Sequence, residues 1–199
     1  WFEGALFYTD INSLGYPDFE RGPGGMQSQK DKGFSLKARL FKEGECYGLD
    51  YAFCDYLPNV AVGLVDFAGT SLTASEYVVA SKSFGRFDFT VGLGWGALGS
   101  TDNIGGNPLS ILADRFDERG SGYSSGLMGG VPGVSTWFRG TTSVFGGAEY
   151  VIPKARFYPV NSKIKFEYDS IDHELADFCR ECEGDRFESL DSPISLGYE

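Results

Sequence analysis

The residues of this chain whose types and spacing could do chemistry are two close pairs of cysteines, one histidine and two clusters of carboxylates. Cys46 lies near Cys54, and Cys179 near Cys182, which allows three disulfide connectivities. The second pair is the chain's one CxxC, so a four-thiolate zinc centre would need Cys46 and Cys54 at an unsuitable spacing. No βαβ pattern surrounds CREC, which removes a thioredoxin-like reading. Two local disulfides made in an oxidising compartment account for the four cysteines, with free thiols as the alternative. A bridge between Cys179 and Cys182 would close a tight ring, and such bridges are strained and easily reduced.

Asp114, Asp117 and Glu118 form one acidic group, and Asp169, Asp172, Glu174 and Asp177 another. Paired carboxylates are the residue type of glycoside hydrolysis, but nothing in the sequence sets their separation. Acidic clusters in the loops of an acidic chain are ordinarily solvated surface, and the calcium-loop pattern D-x-[DN]-x-[DN]-G is absent. His173, inside DSIDHELAD, reads as an exposed loop residue. No G-x-S-x-G elbow supports acyl transfer. In GLGWGALG the closely spaced Gly92, Gly94, Gly96 and Gly99 imitate a nucleotide fingerprint, yet no helix follows them. The expectation is a non-enzymatic protein with no catalytic residues, no cofactor and no metal site.

The elements that must position these residues are strands. The chain has 199 residues, room for one large domain, with 28 glycines, 17 Phe, 11 Tyr and 3 Trp. Abundant glycine and aromatics with a single His favour strand over helix. No apolar run reaches the ~18 residues of a membrane helix. A net charge of −11 has the wrong sign for binding phosphate backbones, so nucleic acid is excluded as a partner.

Alternation with a period of two recurs along the chain. Phe87, Phe89, Val91, Leu93 and Trp95 interleave with Asp88, Thr90, Gly92 and Gly94. Phe34, Leu36 and Leu40 interleave with Lys37 and Arg39. Ile164 and Phe166 interleave with Lys163, Lys165 and Glu167. Phe34, Leu36, Leu40, Phe87, Phe89, Val91, Leu93 and Trp95 are predicted to face lipid, and the charged set, Lys37, Arg39, Asp88, Lys163, Lys165 and Glu167, a polar lumen that could meet glycan.

Strands are predicted at Phe2 to Tyr8, Tyr47 to Phe53, Asn59 to Phe67, Ser75 to Phe84, Ser135 to Val144, Gly146 to Ile152 and from Pro193 onward, besides the three alternating runs. Gly85 and Arg86 alone separate two long strands, a hairpin signal. Strands of about nine to eleven residues suit a tilted membrane crossing better than a soluble sheet. Loops alternate between short and long, as in outer-membrane barrels. The long loop is predicted at 99–134, with one short helix, Leu109 to Arg119, inside it. Glycine on a strand face leaves room for a large side chain from a neighbouring strand. Trp95, Trp137, Tyr77, Tyr150 and Tyr168 fit an interfacial girdle, or else the core of a sandwich. The chain opens and closes inside strand-like patterns, so residues 1–199 read as a single β domain, a fragment of a larger barrel protein.

The run YLPNVAVGLVDFAGTSLTASEYVVASKSFGRFDFTVGLGWGALG, from Tyr56 to Gly99, resembles the YjbH-like outer-membrane proteins associated with exopolysaccharide and capsule production in Gram-negative bacteria. DKGFSLKARLFKEGE, VFGGAEYVIP, KIKFEYDS and SPISLGYE extend the resemblance over most of the chain. CYGLDYAFC at 46 to 54 and CRECEG at 179 to 184 depart from the pattern. The resemblance implies an outer-membrane barrel protein, often a lipoprotein, of polysaccharide secretion or surface assembly, and it supplies no catalytic residues. The combined expectation is an all-β antiparallel meander, an outer-membrane barrel or barrel segment of eight to ten strands. Its partners would be outer-membrane lipid, polysaccharide and other envelope proteins. The alternatives are a soluble β-sandwich that binds glycan and a structural part of a larger envelope machine.

Overall fold

The computed structural model describes residues 1–15, 28–48, 54–69, 74–120, 133–154, 162–171 and 192–199. Among them eight strands run in chain order: β1 (Phe2–Gly15), β2 (Ser28–Phe41), β3 (Asn59–Gly69), β4 (Ser75–Phe84), β5 (Phe87–Gly96), β6 (Thr142–Ile152), β7 (Ser162–Tyr168) and β8 (Ile194–Tyr198). They form one antiparallel sheet in the order β1 to β8, each strand beside its sequence neighbours. This up-and-down meander is the all-β architecture expected from the period-two alternation. β1 and β8 are the two edges of the sheet. No helix among the described residues is long and apolar enough to cross a membrane, which leaves crossing by strands a separate matter.

β4 and β5 turn directly through Gly85 and Arg86. Gly85 adopts φ 66°, a left-handed conformation that costs glycine little. The ladder from Ser75↔Gly96 to Phe84↔Phe87 runs without a register shift, as the alternation of both strands requires. β2 and β3 are less regular: their register shifts between Phe34 and Leu36 and again between Arg39 and Phe41. Asp66, at φ 50°, lies in the first of these irregular stretches.

Three sequence expectations change. Ser135 to Val144 is not a strand throughout: Val134–Thr136 form a 3-10 turn, and Phe138 (φ 57°) and Gly140 (φ 80°) leave the extended region. β6 therefore starts at Thr142 and absorbs the run Gly146 to Ile152, and the connection from β5 spans 97–141 rather than 99–134. The helix expected at Leu109 to Arg119 is replaced by two short 3-10 turns, Pro108–Ile111 and Asp114–Phe116. Extended Ala113, at φ −168°, separates them. Tyr47 and Gly48, expected to open a strand, lie in a turn, and the rest of that run lies outside the described residues.

Candidate functional site

Pairing register fixes which side chains share a face. Lys37 pairs with Glu3 and Gly63, Gly63 with Tyr77, Tyr77 with Gly94, Thr90 with Gly147, Glu149 with Asp88 and Lys165, and Glu167 with Gly147 and Ser195. Followed across the sheet, these pairs put all six of the predicted lumen residues, Lys37, Arg39, Asp88, Lys163, Lys165 and Glu167, on one face. Phe34, Leu36, Leu40, Phe87, Phe89, Val91 and Leu93 share the other.

That other face is greasy and open. Phe2 is 77% exposed, Leu6 71%, Val91 56% and Leu196 78%. Phe34, Leu36, Leu40, Val78, Phe84, Phe87, Phe89, Ile164, Phe166 and Ile194 are also exposed, so β1, β2, β4, β5, β7 and β8 contribute, whereas β3 and β6 carry no exposed residue. Leu93 is half-buried. Trp95 departs from the expectation: it is only 2% exposed and packs edge-to-face on Phe138 at 5.2 Å. Its cover comes from the described parts of the connection between β5 and β6, 97–120 and 133–141. Glu76, which pairs with Trp95 across β4 and β5, receives Arg119 Nη1 at 2.7 Å and Nη2 at 2.9 Å, and the Phe138 backbone N–H at 2.9 Å. Asn107 donates to the carbonyls of Phe116 and Phe138 and accepts from Leu109 N–H, which joins both halves of the described connection.

The polar face holds a groove of 520 Å³ over β5 to β8, lined by Asp88, Thr90, Phe145, Glu149, Lys165 and Glu167 among others. Ligand pockets have about 300–1,000 Å³. Lys163 Nζ lies 2.8 Å from Glu149, and Lys165 Nζ 3.9 Å from Glu149 and 2.7 Å from Glu199. Ser83 Oγ donates to Asp88. Lys37 and Arg39, on β2, are on the same face but do not line this groove; the Arg39 guanidinium instead lies 5.2 Å from the centre of the Trp1 ring.

Aromatic rings on the polar face rest over glycines. A Cβ on Gly63 would overlap the Tyr77 ring, and one on Gly92 the Phe145 ring. Tyr77 and Phe145 meet edge-to-face at 6.3 Å. Tyr77 is thus on the charged face rather than in an outer girdle. Tyr150 is on the apolar face, 4.6 Å from Phe87 beside the Gly85–Arg86 turn, and Tyr168 receives a hydrogen bond from Asn103. Trp137 meets Phe67 edge-to-face.

Cys46 and Cys54 form a disulfide with Cα atoms 4.8 Å apart. It closes the connection between β2 and β3, and Lys82 ties that connection to β4 by pairing with Glu43 at 3.0 Å and donating to the Asp55 carbonyl at 2.6 Å. In the same connection the Glu45 carboxyl is held below its ordinary pKa by hydrogen bonds from Lys42 and then Tyr47. Cys179, Cys182, His173, Asp172, Glu174 and Asp177 lie outside the described residues. Of the carboxylates weighed for catalysis, Asp169 lines the groove, whereas Asp114, Asp117 and Glu118 are exposed on the connection 97–141. Sequence reading missed Glu149 and Phe145, since both follow a GG step or a turn where the alternation is hard to phase. It also missed Glu76, whose partners lie far along the chain.

An antiparallel up-and-down meander in one open sheet, with one charged face and one exposed apolar face, defines the class of all-β protein to which this chain belongs. The chain belongs to the YjbH family, described as exopolysaccharide biosynthesis protein YbjH, whose profile matches residues 1–199. It is 40% identical over 176 residues to the uncharacterized lipoprotein YjbH of Escherichia coli (strain K12), an alignment covering 88% of this chain. The aligned part is 23% of that lipoprotein's length. No solved structure matches the chain.

Proposed function

We propose that this chain forms part of the wall of an outer-membrane β-barrel that takes part in exopolysaccharide export or surface assembly without making or breaking covalent bonds. The observation that carries the reading is the exposure of large apolar side chains on β1, β2, β4, β5, β7 and β8. In water, that much exposed Phe, Leu and Tyr on aligned strands would be a liability; in a bilayer it is the face the lipid requires. β1 to β6 have 10 to 14 residues each, long enough for tilted strands to cross the hydrocarbon core. The opposite face carries interleaved Lys, Glu, Asp and aromatic groups, which can hydrogen-bond and stack on sugars. A role in binding rather than bond cleavage fits the ion pairing of Glu149 with Lys163, which leaves that carboxylate occupied.

Two measurements test the reading. Refolded with phospholipid vesicles, the chain should float with them and resist extraction by carbonate or urea. A monodisperse, compact β fold in buffer without detergent would overturn the membrane placement. In the cell, deletion of the gene should lower surface polysaccharide; unchanged polymer with loss of another envelope structure would refute the export role.

A further inference from the structure

We infer that the groove over β5 to β8 is a saccharide subsite that selects an amine-bearing sugar over a uronate. The inference deepens the reading above, because a polymer passing along the charged face of this wall would pass the groove.

Its shape and floor come first. The 520 Å³ groove is large enough for one or two sugar rings. Phe145 presents an aromatic surface on an otherwise polar face, and its orientation is set from two directions, by Gly92 beneath it and by the edge-to-face contact with Tyr77. A fixed ring of this kind is a stacking platform for the C–H face of a pyranose, at little entropic cost. Thr90 and Ser195 add hydroxyls at the margin.

Charge then decides the class of sugar. Lys165 is the one cation among the lining residues, and it is held between Glu199 at 2.7 Å and Glu149 at 3.9 Å. Lys163 beside it is engaged by Glu149. A uronate would therefore find no uncommitted ammonium. Asp88 and Glu167, in contrast, have no cation within ion-pair distance among the described residues. A sugar ammonium in the groove would meet Glu167 on the β7 side or Asp88 toward the β4–β5 turn, and a sugar carboxylate would be repelled by both.

The test uses the full chain in a detergent without a sugar headgroup, with three hexasaccharide probes: glucosamine, N-acetylglucosamine and galacturonate. Calorimetric titration at mildly acidic pH keeps the amines protonated. The glucosamine hexamer should bind about tenfold more tightly than its N-acetylated counterpart, and the galacturonate hexamer more weakly than either. Replacing Asp88→Asn together with Glu167→Gln should abolish the preference for the amine, so that the amine and N-acetylated probes bind alike. Phe145→Leu should weaken both by a similar factor. If Phe145→Leu fails to fold, the surface double variant decides alone. Galacturonate binding as tightly as glucosamine, or an unchanged preference in the double variant, overturns the inference, as does absence of binding by all three probes. Vesicle flotation of the same preparation reports separately on the membrane reading, so the two can fail independently.

Discussion

Gly63 and Gly92 show at the residue scale what an all-β chain gains from a missing side chain. Each lies opposite a neighbouring-strand ring that occupies the space its own Cβ would need. Gly63→Ala should therefore push Tyr77 off its seat and cost about 1–3 kcal/mol, the usual range for overpacking. Gly4→Ala, with nothing near its Cβ position, should cost little. Thermal unfolding of the two variants in the same detergent checks the contrast. The need for room beside Gly92 was legible in the alternation of FTVGLGWG. Which ring fills it was not, because register is set across strands and one strand's sequence carries only its own phase. The cysteines follow the same logic. The Cys46–Cys54 bridge takes two of the four thiols, so a thiol reagent applied to the unreduced protein should label at most two, Cys179 and Cys182. Labelling of all four would contradict the bridge.

At the scale of elements, the described parts of the connection, 97–120 and 133–141, form a folded cap. Its 3-10 turns could not be told from a helix by periodicity, since a few apolar residues at helical spacing also satisfy two short turns around an extended Ala113. What holds it is the Glu76–Arg119 pair, whose members are 43 residues apart and on different elements, beyond the reach of any local pattern. Glu76 keeps 3% side-chain exposure and Arg119 23%. Removing the arginine leaves a buried carboxylate with only the Phe138 N–H to face it. Arg119→Ala should destabilise the cap by about 2 kcal/mol, less than the ~3–5 of a fully buried pair because Arg119 retains contact with water. Limited proteolysis is the measurement: cleavage within 97–141 should quicken about thirtyfold while the strands stay intact. Cleavage at the parent rate would mean that the cap is held by its other bonds, such as those of Thr101, Asn103 and Asn107.

For the molecule as a whole, the feature that was most legible is the division into two faces, since period-two alternation survives any choice of register or neighbour. Strand order was legible where connections are short, as from β3 through β5, because antiparallel neighbours joined by tight turns leave few other topologies. The burial of Trp95 was not, for it depends on a distant segment folding over the rim. The division has a direct energetic consequence at the middle of β5, where Val91 is on the exposed apolar face and Thr90 on the charged one. If lipid covers the apolar face, Val91→Arg must place a guanidinium in hydrocarbon, at a cost of about 2–4 kcal/mol near the bilayer midplane. Thr90→Arg would put the same group beside Asp88 and Glu149, where it gains opposite charge and should cost much less. Denaturant unfolding in vesicles, read by tryptophan fluorescence, should separate the two variants by most of that difference. The same pair in detergent-free buffer offers the control: a soluble sheet would prefer Arg at 91, where it would cover an exposed apolar surface, so a reversed order of stability would mean that water, not lipid, meets that face.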